Sequence, residues 1–256
     1  MLLLRDDLLI VLDSDSNIHI KGLCTVPSFL GEVLKITLRG DFLYLISKDT
    51  TIAILNILDM SIIGVYKNTN EVISTVVFGN RHIHIITENL LYYKTAYENI
   101  KFKRVDCHEK EIKYHFNGLY NSLKNDNTKL LLLKMLSVSP KDESIVYLDV
   151  YGTLYHNGKS ILSLIEIVKY IYTTSDKLFL IIDSSLIVYD LNKRKIEDKR
   201  NIGEIKLKAG PFVVVSNQII NIVDKKEKSL PFQFEEILIQ NDKVYGLTNE
   251  GIYEIF

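Results

Sequence analysis

Leu178-Phe179-Leu180-Ile181-Ile182 and Leu186-Ile187-Val188-Tyr189, with Asp183-Ser184-Ser185 between them, decide the fold. Both apolar runs are too short for a helix and are made of Ile, Leu, Val, Phe and Tyr, the residues that suit a pleated strand. Asp and Ser between them supply the local hydrogen bonds and backbone angles of a tight turn. Two strands joined by a short turn make a hairpin. Ser175-Asp176-Lys177 before the first strand marks a second turn.

The same form, turn then strand then turn then strand, recurs along the chain. Asp6-Asp7 precedes Leu8–Asp13, with Ile18–Ile20 as the partner; Gly40-Asp41 precedes Phe42–Ile46, with Ile52–Leu55; Gly79-Asn80 precedes His82–Ile86, with Leu90–Tyr93. Ser139-Pro140-Lys141-Asp142-Glu143 precedes Ile145–Leu148, with Thr153–Tyr155; Gly210-Pro211 precedes Phe212–Val215, with Ile219–Ile222; Asn241-Asp242-Lys243 precedes Val244–Leu247, with Ile252–Phe256. First strands therefore begin at Leu8, Phe42, His82, Ile145, Leu178, Phe212 and Val244, at intervals of 34, 40, 63, 33, 34 and 32 residues. A fixed period of this kind is the mark of a repeat architecture. An apolar strand usually lies upstream of the hairpin, as in Val33–Leu38 or Val72–Val77, and a polar one downstream, as in Lys195-Ile196-Glu197 or Ile100–Val105. Four strands, the inner ones apolar on both faces and the outermost polar, describe a blade that stacks on its neighbours and meets water at one edge.

The expected fold is thus all-β: a single β-propeller domain over 1–256 with seven blades of about four antiparallel strands. The blades are expected at 1–27, 32–67, 71–106, 129–162, 165–200, 204–232 and 235–256. Met1–Leu4 is expected as the innermost strand of the first blade, in preference to the missing outer strand of the last. Tetratricopeptide and ankyrin repeats share the period but are helical, and a β-sandwich does not repeat a hairpin so regularly.

Several copies resemble WD40 repeats. Thr51–Ile57 and Leu186–Leu191 resemble the strand that ends in Trp-Asp in that family, with Tyr189-Asp190 at the dipeptide. Ser139-Pro140-Lys141-Asp142-Glu143 resembles its Ser-Pro-Asp-Gly turn, and Tyr151-Gly152-Thr153-Leu154 its Asp-Gly-Thr-Ile entry to the third strand. The resemblance implies a propeller fold and a scaffolding role. The chain has no Trp and lacks the Gly-His dipeptide, so the family's side-chain hydrogen-bond tetrad is not expected.

The 63-residue interval holds an insertion, 107–128. Within 108–128, Ile112, Phe116, Leu119, Tyr120 and Leu123 are spaced by threes and fours, as on a short amphipathic helix, although Gly118 weakens a helix. A hairpin turning at Asn117-Gly118 and a degenerate eighth blade are the alternatives. As a docking element for a partner protein, the segment would present Ile112, Tyr114, Phe116, Leu119, Tyr120 and Leu123; as a tolerated surface loop it would present them to no one.

Composition bounds the function. At 47% hydrophobic and 25% charged, the chain carries enough apolar mass for a large core. Lys+Arg is 31 and Asp+Glu 32, a balance without the basic excess of a phosphate-gripping protein. Cys24 and Cys107 are the only cysteines, too few for a disulfide framework and suited to a reducing cytoplasm. Met1–Leu8 turns acidic too soon for a secretory signal, and charges break every apolar run before it reaches a membrane-spanning length.

Candidate chemistry is sparse. His82 and His84 share a strand face, but Cys107 and His108 are the only further ligands on offer and are distant, so no metal or other cofactor is expected. Asp13, Asp49, Asp149, Asp183 and Glu250 lie near the turns between second and third strands; converging on one rim, they would suit a propeller enzyme with an acidic, calcium-bound channel site. Their ordinary role is turn formation. Basic runs at Lys101 with Lys103-Arg104, Lys193-Arg194-Lys195 with Lys199-Arg200, and Lys225-Lys226 with Lys228 fall on outer strands, where lysine blocks edge pairing; a nucleic-acid-associated propeller is the rival explanation. No Gly-x-Ser-x-Gly, P-loop or dinucleotide motif occurs. The expected function is a non-catalytic protein–protein interaction scaffold, a subunit or adaptor of a larger cytoplasmic complex.

Overall fold

Each of the seven hairpins is an antiparallel strand pair in the structure, a computed structural model. It describes residues 2–5, 8–12, 18–20, 25–26, 32–48, 51–58, 62–67, 72–90, 92–97, 133–240 and 243–256. The insertion 107–128, with Ile112, Tyr114, Phe116, Leu119, Tyr120 and Leu123, lies outside the described residues. The chain forms two compact units, Met1–Leu133 and Lys134–Phe256.

In the first unit, sheet I is β1 (Leu2–Arg5), β2 (Leu8–Leu12), β3 (Ile18–Ile20) and β4 (Thr25–Val26). Sheet II is β5 (Val33–Arg39), β6 (Phe42–Ser47), β7 (Thr51–Asn56) and β8 (Ile62–Lys67), and sheet III is β9 (Ile73–Phe78), β10 (His82–Thr87) and β11 (Tyr92–Ala96). In the second, whose first strand starts at the boundary, sheet IV is β12 (Leu133–Val138), β13 (Ile145–Asp149), β14 (Thr153–His156) and β15 (Lys159–Ser163). Sheet V is β16 (Val168–Thr173), β17 (Lys177–Ile182), β18 (Ser185–Asp190) and β19 (Lys195–Asn201). Sheet VI is β20 (Ile205–Ala209), β21 (Phe212–Val215), β22 (Gln218–Asn221) and β23 (Glu227–Ser229); sheet VII is β24 (Glu236–Gln240), β25 (Lys243–Thr248) and β26 (Gly251–Glu254).

The fold is all-β, and within each unit small antiparallel meanders follow one another in a β-propeller-like arrangement. The expected complement of four strands is met by five sheets; sheets III and VII have three among the described residues. Among those residues no helix is long and apolar enough to cross a membrane. The start of β11 departs furthest from expectation. β11 begins at Tyr92 rather than Leu90, because Leu90 takes a left-handed conformation (φ 62°) that a strand cannot contain. Its N–H bonds the Thr87 carbonyl and its carbonyl accepts from Leu133 N.

The core explains why the central strands are apolar throughout. Successive side chains of a strand point to opposite faces. On β17, Leu178, Leu180 and Ile182 join Val146, Leu148 and Leu154 of sheet IV, while Phe179 and Ile181 join Val213, Val215 and Ile220 of sheet VI. β18 divides likewise, with Ile187 and Tyr189 on the first side and Leu186 and Val188 on the second. Phe212, Val214 and Ile219 of sheet VI then meet Ile237 and Val244 of sheet VII. In the first unit, Tyr44, Ile46, Ile52 and Ile54 of sheet II meet Ile73, Val76, Ile83 and Ile85 of sheet III. The outer strand β19 is exposed or half-buried along its whole length, as its polar sequence requires.

Two local features recur. First strands β5, β16 and β20 each carry a register shift near their start, between Val33 and Lys35, Val168 and Tyr170, and Ile205 and Leu207, which sharpens strand twist. Third strands β7, β18 and β22 each end on Asn56, Asp190 or Asn221, whose side-chain oxygen accepts the N–H two residues on, at 3.0, 2.9 and 3.0 Å. The intervening Ile57, Leu191 and Ile222 are buried, and each donates its N–H to the residue just before the second strand: Asp41, Asp176 and Pro211. Asp190 thus does at the Trp-Asp-like position what an Asx turn does: it stops the strand and turns the chain.

The Lys193 N–H, then the Lys193 ammonium, hold the Asp190 carboxyl well below its ordinary value, down to about 2. A depressed carboxylate stabilises the fold above its unfolded pKa and loses that contribution as pH falls through its folded value. Asp190→Asn is therefore expected to be less stable than the parent at neutral pH. The gap should close as pH falls from 3.8 towards 2, read from thermal unfolding midpoints.

Candidate functional site

A four-strand meander returns the chain to the end at which it entered the sheet. Turns between second and third strands therefore share an end with the linkers between sheets. In the second unit that end comprises 150–152, 164–167, 183–184, 202–204, 216–217, 230–235 and 249–250. These loops are clamped in pairs. Leu164 N donates to Gly152 O at 2.8 Å, Ile202 N to Ser184 O at 2.8 Å, and Leu230 N to Asn217 O at 2.8 Å.

The clamp on sheet IV is braced from within its own turn. The Asp149 carboxylate accepts from Tyr151 N (2.9 Å) and Thr153 N (2.8 Å). Gly152 sits at φ +82°, and a Cβ there would run into the Leu164 carbonyl. This backbone lifts apolar side chains into solvent: relative exposure is 40% for Val150, 80% for Tyr151, 101% for Ile165 and 67% for Ile167. The four sit on two loops joined by the Leu164–Gly152 hydrogen bond. Glu166 is exposed between the two isoleucines. The register that pairs Val168 with Ile182 sets Ile167 across from Asp183, which is also exposed.

A smaller aromatic group lies on sheet VII. Phe232 is 5.1 Å from Phe234 and 4.7 Å from Tyr253 between ring centroids, and Phe232 and Tyr253 are exposed.

The residues singled out from sequence fall as follows. His84 is buried on β10, with Nδ1 2.8 Å from the Tyr92 hydroxyl and its ring stacked on that tyrosine; the rings of His82 and His84 are 6.2 Å apart. Cys24, Cys107, His108, Asp13 and Asp49 lie outside the described residues. Asp149 is engaged by its turn, while Asp183 and Glu250 are exposed at the same end of the second unit. Among the described residues no three His, Cys, Asp or Glu side chains gather as a metal site would require. The basic run on β19 and its loop is interleaved with acids: Lys193 pairs with Asp190 (3.0 Å) and Glu197 (3.1 Å), and Lys225 of sheet VI with Asp198 (2.7 Å). Lys101, Lys103 and Arg104 lie outside the described residues.

Sequence inspection passed over Val150, Ile165 and Ile167, and used Tyr151 only for its place in a turn. A continuous apolar run does not show which members face water. Asn157-Gly158, between β14 and β15, was also passed over; both residues take positive φ (48° and 81°), as a type I′ hairpin turn demands. The Asn-Gly dipeptide is a signal for that turn.

No protein-family model matches the chain, and no curated protein matches its sequence.

Replacing Gly152 strains a left-handed backbone and breaks the clamp. Gly152→Ala is expected to cost more than about 1 kcal/mol in chemical denaturation. Lys159→Ala, at an exposed position on the same sheet, should stay within about 0.5 kcal/mol.

Proposed function

We propose that the chain is a non-catalytic protein–protein interaction scaffold. In this proposal 1–256 make one WD40-like, seven-bladed propeller that serves in the cytoplasm as a subunit or adaptor of a larger complex. The partner docks on the exposed end of sheet IV. The insertion 107–128, with Ile112, Tyr114, Phe116, Leu119, Tyr120 and Leu123, is a second docking element, supported by its sequence alone.

The observation that carries the proposal is the patch of Val150, Tyr151, Ile165 and Ile167. Single exposed apolar residues are ordinary, but a contiguous group of large ones marks an interaction site. Burying one such side chain contributes roughly 1.5–3 kcal/mol, so a partner covering all four gains enough to offset much of the cost of association. The clamped loops are ordered before binding, which reduces that cost further. Tyr is also among the residues that dominate interface energetics.

The test is affinity purification from the native host with mass spectrometry, comparing the parent with a Tyr151→Ser/Ile165→Ser double variant. The parent should recover a consistent set of proteins and the variant should lose it, with unfolding midpoints unchanged. Full recovery by the variant, or a purified protein that turns over a small molecule, contradicts the proposal.

A further inference from the structure

We infer that the partner element seated on the sheet IV patch is a cationic peptide segment, one that carries Lys or Arg beside large apolar side chains. The inference rests on the docking role proposed above and names the chemistry of its occupant.

The loops at this end of the second unit carry charge of one sign, with exposed Lys134 and Lys206 at the adjoining strand starts. The seven loops there carry Glu166, Asp183, Glu204, Glu235 and Glu250, and no Lys or Arg. The opposite end is mixed: its described turns hold Lys141, Lys193, Arg194, Lys225 and Lys226 beside Asp142, Glu143, Asp176 and Asp224. The loops from which the apolar side chains protrude thus hold acids without the bases that accompany them at the other end.

Two of these acids are placed beside the apolar residues by sequence and register. Glu166 stands between Ile165 and Ile167, and Asp183 faces Ile167 across the β16–β17 pair. Neither makes an ion pair among the described residues, in contrast to Asp190, Glu197 and Asp198 on the same unit. Asp149, the third acid nearby, already satisfies two backbone N–H groups. The patch therefore offers apolar contact with two uncommitted carboxylates at its rim. A Lys or Arg whose stem lies on Ile165 or Ile167 brings its charge to Glu166 or Asp183, and Tyr151 gives a guanidinium a face to stack on.

The same charges argue against the other occupants of a protruding apolar loop. Membrane-surface segments flank their apolar residues with Lys and Arg to meet anionic headgroups, and nucleic acid presents phosphate; both are repelled here.

The test measures fluorescence anisotropy of two sets of short labelled peptides. The sets share their apolar residues and differ only in bearing Lys/Arg or Asp/Glu between them. The cationic set should contain binders whose affinity falls as salt is raised, and the anionic set none. Binding should weaken by about tenfold or more in Ile165→Ser and in a Glu166→Lys/Asp183→Lys variant, and be unchanged in Val223→Ser, an exposed apolar control at the opposite end. Binding of both sets alike, binding that survives the charge reversal, or binding to phosphatidylserine vesicles in place of the peptides overturns the inference. If neither set binds while recovery of native partners still depends on Tyr151 and Ile165, the cationic chemistry falls and the docking role stands.

Discussion

Everything in the second unit depends on strands that are buried on both faces. β17 and β18 place alternate side chains into two separate cores, one shared with sheet IV and one with sheet VI. A single meander that is apolar on both faces cannot cover either by itself, so each requires its neighbours. That requirement selects the composition: Ile, Leu, Val and aromatic residues run unbroken through central strands, and polar residues are left for edges such as β19 and β23. It also forces short connections, since stacked sheets leave little room for long ones.

Short connections then shape the surface. Turn residues must satisfy backbone groups that no ladder reaches, and Asp149, Asp190, Asn56 and Asn221 do so with their own side chains. Acids placed at turns for this reason lie at defined ends of the sheets. Where such a turn is also hydrogen-bonded to the next linker, as at Gly152 and Leu164, the backbone holds its shape with few side-chain contacts. Val150, Tyr151, Ile165 and Ile167 are thereby released from packing duty. Their apolar side chains are left exposed to solvent.

Much of this was legible in the residues. Starts at Leu8, Phe42, His82, Ile145 and Phe212 coincide with strand starts because the first apolar residue after a turn also begins the ladder. β17 and β25 start one residue earlier, at Lys177 and Lys243, because backbone pairing to Asp190 and Gln240 does not depend on an apolar side chain. Leu90 misled because hydrophobicity carries no information on φ. The patch on sheet IV was illegible for a related reason. Ile161 to Tyr172 is nearly continuous in apolar residues, and whether Ile165 faces a core or water is set by a tertiary clamp at Gly152 rather than by periodicity. Acids, by contrast, were visible as a class, because their turn positions follow from spacing.

The claim that one strand feeds two cores is tested most directly by double-mutant cycles on adjacent residues. Phe179→Leu and Leu180→Ala are each combined with Ile220→Val of sheet VI, and stability is measured by chemical denaturation. Phe179 and Ile220 share a core, so their effects should couple by about 0.5 kcal/mol or more, whereas Leu180 faces the other core and should be additive with Ile220 within about 0.3–0.5 kcal/mol. Equal coupling in the two cycles, or coupling through Leu180 alone, would contradict the stacked arrangement.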